Sequence, residues 1–262
     1  MVTVELLCFG NELLIGKVVN TNASFMAQEL TNAGAEVTRI VVLSDALEDL
    51  AGGFKEALKR SPDFIITSGG LGPTYDDKTL EGLARALNIA FEENPDALKM
   101  VRKAYSFLNV NLNPARRKMA KLPRGALPIR NPVGTAPAIF LRAEGYRSAI
   151  YCLPGVPTEL KAIFNENVLP EISKRGNTYF QTSFLCSGVG ESSLAHITEK
   201  LVSQHPKIYI KSHPKMTEEE PIIEFHLTAK GNDHGLSAEI DEVKRELISS
   251  LKVIGARIEN NL

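Results

Sequence analysis

The residues best suited to chemistry stand just beyond the ends of predicted strands. A glycine-rich run, Ser68-Gly69-Gly70-Leu71-Gly72-Pro73-Thr74, is followed closely by Asp76 and Asp77. Glycines permit positive φ and let a ligand approach the backbone, and successive N–H groups leading into a helix suit a phosphate or pyrophosphate. The run has neither the P-loop nor the G-x-G-x-x-G spacing, and a tight structural turn is the competing reading. Asp76 and Asp77 fit a divalent cation, because magnesium needs only one or two protein carboxylates beside phosphate oxygens. They equally fit the first turn of a helix, with Thr74-x-x-Asp77 as a capping box. Asp45 poses the same choice, since Asp45-x-x-Glu48 could cap the helix that follows it. Glu12 and Glu159 are further acids placed after strands, and Pro154-Gly155 closes the last of them.

A basic stretch, Arg116, Arg117, Lys118, Lys121, Arg124 and Arg130, contains no acid. It reads either as a solvated face or as the partner of an anionic ligand. The whole chain of 262 residues has 30 Lys and Arg against 31 Asp and Glu, a formal net charge of −1. That balance argues against a nucleic-acid coat or a polybasic membrane anchor. Lys207–Lys215 is locally basic, but neither a G-x-x-G loop nor a stacking-aromatic motif accompanies it, so no nucleic-acid partner is expected. No apolar run approaches the ~18 residues of a membrane span, and the N-terminus has no secretory pattern. The five histidines, His196, His205, His213, His226 and His234, lie far along the chain without metal-ligand spacing. Cys8, Cys152 and Cys186 sit in apolar runs and read as reduced, buried thiols of a cytoplasmic protein.

These residues need elements to position them. Val4–Phe9, Val37–Leu43 and Asp63–Thr67 read as strands, separated by helical periodicity over 22–33 and 47–58, with Gly34 as a C′ glycine. Helices follow at Leu80–Leu87 and Pro95–Leu108, strands at Ala138–Leu141 and Ser148–Leu153, and a helix from Pro157 to Pro170. Residues 109–134 lack periodicity. This alternation predicts a mainly parallel α/β sheet over residues 1–173. Such sheets bind ligands beyond the carboxyl ends of their strands. Residues 178–262 read as strand, helix, strand, strand, helix, strand, a small ferredoxin-like α+β (βαββαβ) domain.

Four motifs then identify a resemblance. Gly10-Asn11-Glu12-Leu13-Leu14-x-Gly16 with Asn20-Thr21-Asn22, Ser68-Gly69-Gly70-Leu71-Gly72-Pro73-Thr74-x-Asp76-Asp77-x-Thr79, Asn131-Pro132-Val133-Gly134-Thr135-Ala136-Pro137 and Leu153-Pro154-Gly155-Val156-Pro157-x-Glu159 resemble the CinA family of competence/damage-inducible proteins. The resemblance covers roughly residues 1–170 and implies a three-layer molybdopterin-binding-like α/β domain. It implies metal-dependent hydrolysis of a nucleotide pyrophosphate such as ADP-ribose to AMP and ribose 5-phosphate. Carried over by motif position, Gly69, Gly70, Gly72, Thr74, Glu12, Asn131, Gly134, Pro154 and Gly155 would bind the ligand. In the enzymatic reading, Asp45 and Asp77 are catalytic and, with Asp76 or Glu159, would hold magnesium, manganese or cobalt, while Arg116, Lys118 or Lys121 would stabilise developing negative charge. The alternative is a protein that binds molybdopterin or a nucleotide without hydrolysing it. The superfamily relationship implies a homo-oligomer, a dimer. A chain of this length leaves no room for the nicotinamide-nucleotide deamidase module that many family members carry, so that activity is not expected. Ala138 stands where family members have Gly, which predicts a reshaped pocket.

Overall fold

The computed structural model describes residues 2–216, 221–231 and 235–259. The chain divides into two compact units between Gly176 and Asn177. In the first, β1 (Thr3–Phe9), α1 (Asn11–Leu14), α2 (Thr21–Asn32), β2 (Glu36–Leu43), α3 (Leu47–Arg60), β3 (Phe64–Ser68), α4 (Thr79–Leu87), β4 (Phe91–Glu93), α5 (Pro95–Phe107), α6 (Pro114–Lys118), β5 (Lys121–Pro123), β6 (Leu127–Ile129), β7 (Ala138–Arg142) and β8 (Ala149–Leu153) follow in turn. They lead to α7 (Pro157–Ile163), a π-helical turn (Phe164–Val168) and α8 (Leu169–Ser173).

Six strands form one sheet in the order β2-β1-β3-β8-β7-β6. The pairs β1–β2, β1–β3 and β3–β8 are parallel, and β7 and β6 close the sheet antiparallel. Every residue of β3 and β8 is buried, because central strands covered on both faces need apolar side chains in both directions. One face packs Leu7, Phe9, Ile65, Ile150 and Cys152 against Phe54 of α3, Leu83 of α4 and Val101 of α5. The other packs Leu6, Phe64, Ile66 and Tyr151 against Met26 and Leu30 of α2, Leu160 of α7 and Phe164. This is the expected three-layer arrangement with a mainly parallel sheet. At the back of the sheet, Arg60 satisfies the buried carboxylate of Glu5 through two hydrogen bonds of 2.8 and 2.7 Å.

The register decides where a ligand can meet the sheet. Phe9 pairs with Leu43, Cys8 with Ser68, and Ser68 with Leu153. The carboxyl ends of four parallel strands are therefore level. Antiparallel β7 has its first residues beside the end of β8, since Ile139 pairs with Cys152. The segment 130–137 thus emerges at the same edge as the loops that follow β1, β2, β3 and β8.

The second unit contains β9 (Tyr179–Ser187), α9 (Glu191–Gln204), β10 (Ile208–Met216), β11 (Pro221–Lys230), α10 (Leu236–Val253) and β12 (Arg257–Glu259). Its strands run in the order β10-β11-β9-β12, each neighbouring pair antiparallel. One core joins the sheet to α9 and α10, with Phe184 and Phe225 stacked at 5.2 Å. The βαββαβ order is as the sequence predicts, although β10 runs on to Met216 and β12 begins only at Arg257.

Other local expectations are corrected. Residues 109–134 hold α6, β5 and β6, and β5 pairs with β4, which the sequence reading omits. The continuous helix predicted from Pro157 to Pro170 is interrupted by the π turn. Pro170 has no N–H to donate one turn back, and its ring crowds the carbonyl there, so the ladder widens. Among the described residues no helix is long and apolar enough to cross a membrane. All three cysteines are free and buried. Burial raises the Cys152 thiol to about 12.

Candidate functional site

A cleft of about 380 Å³ lies at the level strand ends. Each of the converging segments contributes to it: Gly10 and Glu12 after β1, Asp45 after β2, Gly69 to Thr74 with Asp76 and Asp77 after β3, Thr135 and Ala136 before β7, and Pro154, Gly155 and Glu159 after β8. The sequence-predicted ligand positions are brought together here, apart from Asn131 and Gly134, which stand behind one wall, and Lys118, which lies below the turn.

The glycine-rich turn is built by close approach. Gly69 has φ +107°, and a Cβ there would meet the Phe9 carbonyl oxygen at 2.4 Å. Gly70 has φ +70°, and a Cβ would meet Thr79 Oγ1 at 2.2 Å. Buried Thr79 locks the turn by donating its hydroxyl to Gly69 O (2.9 Å) and its N–H to Gly70 O (3.2 Å). The Gly69 N–H is taken by Leu153 O. The N–H groups of Gly70, Leu71 and Gly72 have no acceptor among the described residues, and all three residues line the cleft.

The acids answer the choices left open by their spacing. Asp76 and Asp77 precede the helix rather than occupy its first turn, since α4 begins at Thr79 with Lys78 as its N-cap. The Thr74–Asp77 pair closes a turn of its own. Asp77 Oδ2 accepts from Thr74 N–H at 2.8 Å and lies 2.5 Å from Thr74 Oγ1, which also reaches Asp76. Lys118 donates its ammonium to the Thr74 carbonyl, which straps α6 to this turn. Half of the predicted capping box therefore forms, with Asp77 accepting the Thr74 N–H, but the helix itself begins only at Thr79. Burial lowers the Lys118 pKa. Asp45 does not cap α3, whose N-cap is Ala46. It reaches the other way and accepts the Asn11 N–H at 2.9 Å.

Electrostatically the cleft is acidic. Partial burial raises the Asp45 pKa, opposed by the Asn11 N–H and reinforced by Glu12, Asp76 and Asp77. The Thr74 hydroxyl holds Asp76 below the usual aspartate range, with smaller help from Lys118 and Lys78. Glu159 is held by Asn131, whose Nδ2 donates to it at 2.6 Å and whose Oδ1 accepts from Gly134 N–H at 2.8 Å. Gly134 is the floor for that carboxylate, since a Cβ there would meet Glu159 Cδ at 2.2 Å. Among the described residues no three histidine, cysteine or carboxylate side chains are grouped as ligands for one ion.

The basic stretch is largely occupied by protein. Arg117 pairs with Glu93 and Arg124 with Glu92, both acids on β4, and Arg116 lies 4.8 Å above the Tyr105 ring. Ala138 does not touch the cleft: it is fully buried in the core of β7, which corrects the expectation that it reshapes the pocket. In the second unit, His205 meets Glu239 at 3.1 Å and His226 meets Glu224 at 3.3 Å. His234 lies outside the described residues.

Asn22 joins the site although its role was not read from sequence. Its Nδ2 donates to Ser68 Oγ (2.9 Å) and Gly155 O (2.7 Å), so one buried amide ties the end of β3 to the loop after β8. The signal was its position, because Asn22, Met26 and Leu30 make one buried stripe on α2. A polar residue at the head of an apolar stripe needs buried partners.

With this geometry in place, comparison with known proteins is decisive on one point. The family model described as "Probable molybdopterin binding domain" matches residues 5–174. The chain belongs to this family. Within and around the molybdopterin-binding-domain family, a protein of Sulfurisphaera tokodaii is 41% identical over 256 residues, covering 97% of this chain and 95% of the relative. A protein of Caldivirga maquilingensis is 41% identical over 248 residues, covering 94% and 95%. The crystal structure of the protein CinA from Thermoplasma acidophilum, itself described as of unknown function, is similar at 40% identity with a TM-score of 0.60, covering 65% of this chain and 98% of that one.

Proposed function

We propose that the chain binds a phosphate-bearing small molecule of the pterin or nucleotide class at the strand-end cleft, together with a divalent cation, in metabolism linked to the molybdenum cofactor. The observation that carries this reading is the meeting of unpartnered N–H groups at Gly70, Leu71 and Gly72 with the carboxylates of Glu12, Asp45, Asp76, Asp77 and Glu159 in one cleft. The amides attract an anion, while the carboxylates repel one unless a cation is present. Magnesium, manganese or cobalt fits as part of a metal–phosphate complex, held by one or two carboxylates such as Asp45 and Asp77 with phosphate oxygens and water completing its shell. Family membership supports the pterin class, and the identity to Thermoplasma CinA supports placing the chain in the CinA family. Titrating molybdopterin, AMP and ADP-ribose with and without magnesium, manganese or cobalt tests the reading. Metal-dependent binding by at least one is expected, and no binding by any of them overturns it. Asp77→Asn, which keeps an acceptor for Thr74, should weaken metal-dependent binding about 10- to 100-fold without unfolding the chain.

Hydrolysis of an ADP-ribose-type pyrophosphate is the second reading. It is favoured by one observation, that the carboxylates of Asp45, Asp76, Asp77 and Glu159 stand in one cleft with the glycine-rich turn, where one could hold a metal and another take a proton. A bound metal would supply charge neutralisation and a more acidic water. Asp45 would accept a proton, and Lys118, tied to Thr74 O, would hold the turn in position. Release of AMP from ADP-ribose, lost in Asp45→Asn, tests this directly. A dimer fits the exposed apolar side chains Ile15 and Val19, 74% and 80% exposed, and light scattering reads it. Three free, buried thiols suit a reducing compartment such as the cytoplasm.

A further inference from the structure

A second cavity, of about 370 Å³, opens beside the cleft between the C-terminal half of α5 and the segment 130–137. Its walls are apolar, with Met100, Ala104 and Phe107 on one side and Pro132 and Val133 on the other. Phe107 and Val133 are 89% and 62% exposed, large apolar groups left facing solvent around a concave surface. Thr135 lines both this cavity and the strand-end cleft, so the two are neighbours. Asn131 and Gly134 line the cavity while Glu159, bonded to Asn131 and packed on Gly134, lines the cleft.

The two spaces have opposite charge. Five carboxylates line the cleft, whereas Lys103 and Arg130 line the cavity and have no charged partner among the described residues. Arg117 and Arg124 of the same basic stretch are already neutralised by Glu93 and Glu92. An apolar-walled cavity with a few polar groups at its mouth suits a flat organic group rather than a bare ion. The acidic cleft suits a phosphate only as a metal complex.

We propose that the cavity between α5 and residues 130–137 seats the flat heteroaromatic ring of the same ligand whose metal-bound phosphates occupy the strand-end cleft, with Thr135, common to both walls, at the junction. This rests on the cleft being a phosphate site. It makes the loop 130–135 a specificity element rather than a second phosphate clamp.

The test uses probes that separate ring from phosphate. GDP, ADP and inorganic pyrophosphate, each with magnesium, are titrated against the full chain and two variants. Ala104→Phe fills the cavity from α5, and Val133→Trp fills it from the opposite, exposed wall. Each variant should weaken GDP or ADP by at least about tenfold while leaving pyrophosphate within about twofold. Asp77→Asn should weaken all three alike. If the variants leave nucleotide binding unchanged, or weaken pyrophosphate as much as the nucleotides, the ring subsite is overturned while the phosphate site stands. If the unaltered chain binds none of the three probes, the subsite as a nucleotide-ring site is overturned, and the phosphate reading falls with it only if molybdopterin, AMP and ADP-ribose also fail to bind. Melting temperatures of the unliganded variants separate either result from misfolding.

Discussion

The six-stranded sheet and the four-stranded sheet of this chain both gather helices, but on two faces in the first and on one in the second. In the first, parallel strands end level at Phe9, Leu43, Ser68 and Leu153, and the chain must turn there each time to enter a crossover. Irregular backbone, glycines and acids accumulate at that edge. In the second, antiparallel strands turn at alternate ends, and polar groups are spread in pairs across the uncovered face. Lys215 meets Glu224 at 2.7 Å, and Glu224 meets His226 on the same strand. Topology, rather than composition, concentrates chemistry in one sheet and disperses it in the other.

The largest expected effect breaks the glycine turn. In Gly70→Val, a β-branched residue must adopt φ near +70° with its Cβ against Thr79 Oγ1. The backbone strain alone costs about 1–3 kcal/mol, and displacement of the turn should abolish metal–nucleotide binding. Gly188 in the second unit also has positive φ, +83°, but a Cβ there has room, its nearest neighbour being Gly255 O at 3.5 Å. Gly188→Val should therefore lower the melting temperature through strain and leave nucleotide affinity unchanged. Equal loss of affinity in both variants would break the contrast between the sheets.

A smaller effect isolates the lock from the ligand groups. Thr79→Val keeps the shape of a fully buried side chain and removes the hydroxyl donated to Gly69 O. An orphaned buried acceptor costs about 1–3 kcal/mol, which calorimetry reads as a lower melting temperature. Affinity should fall less than in Gly70→Val, because the Gly72 amide and the carboxylates stay in place. A loss of affinity with no loss of stability would instead mark Thr79 as a ligand contact.

How far the site was legible follows the same division. The strand-helix alternation, the C′ glycine Gly34 and the convergence of Gly10, Asp45, Gly69–Asp77 and Gly155 came from patterns local in sequence, and a parallel sheet turns local patterns into one edge. What stayed hidden depends on contacts far apart in the chain. β4 and β5 are three-residue strands about thirty positions apart that pair with one another, too short to show periodicity. The helix starts at Thr79, whose hydroxyl and N–H are held by Gly69 O and Gly70 O, and the capping signal at Thr74 could not reveal that. The charge of the 116–130 stretch looked free until Glu92 and Glu93 folded beside it. Asn22 was visible as a polar residue on an apolar stripe, but its partners, 46 and 133 residues away, were not.

The smallest expected effect is the one that distinguishes the two sheets by sign. Burial and the neighbouring acids Glu12, Asp76 and Asp77 raise the Asp45 pKa, whereas Lys215, with His226, lowers that of Glu224. A raised folded-state pKa gives stability that is complete below the ordinary aspartate value, about 3.9, and is lost as pH rises through the shifted value. A lowered one gives stability that is present above the ordinary glutamate value, about 4.3, and is lost as pH falls through the shifted value. At pH 7, Asp45→Asn should raise the melting temperature, since Asn can still accept the Asn11 N–H without the charge. Glu224→Gln should lower it. Both differences should be small, on the order of 0.5 kcal/mol or less, because the groups are partly solvated and screened, and both should shrink toward zero as the solution is brought below about pH 4. Magnesium with a bound nucleotide should reverse the Asp45→Asn gain, because a cation in the cleft favours the ionised carboxylate, and should leave the Glu224→Gln difference untouched. Same-sign pH profiles would mean that the acids of the cleft are compensated by their own surroundings and need no cation to hold a phosphate.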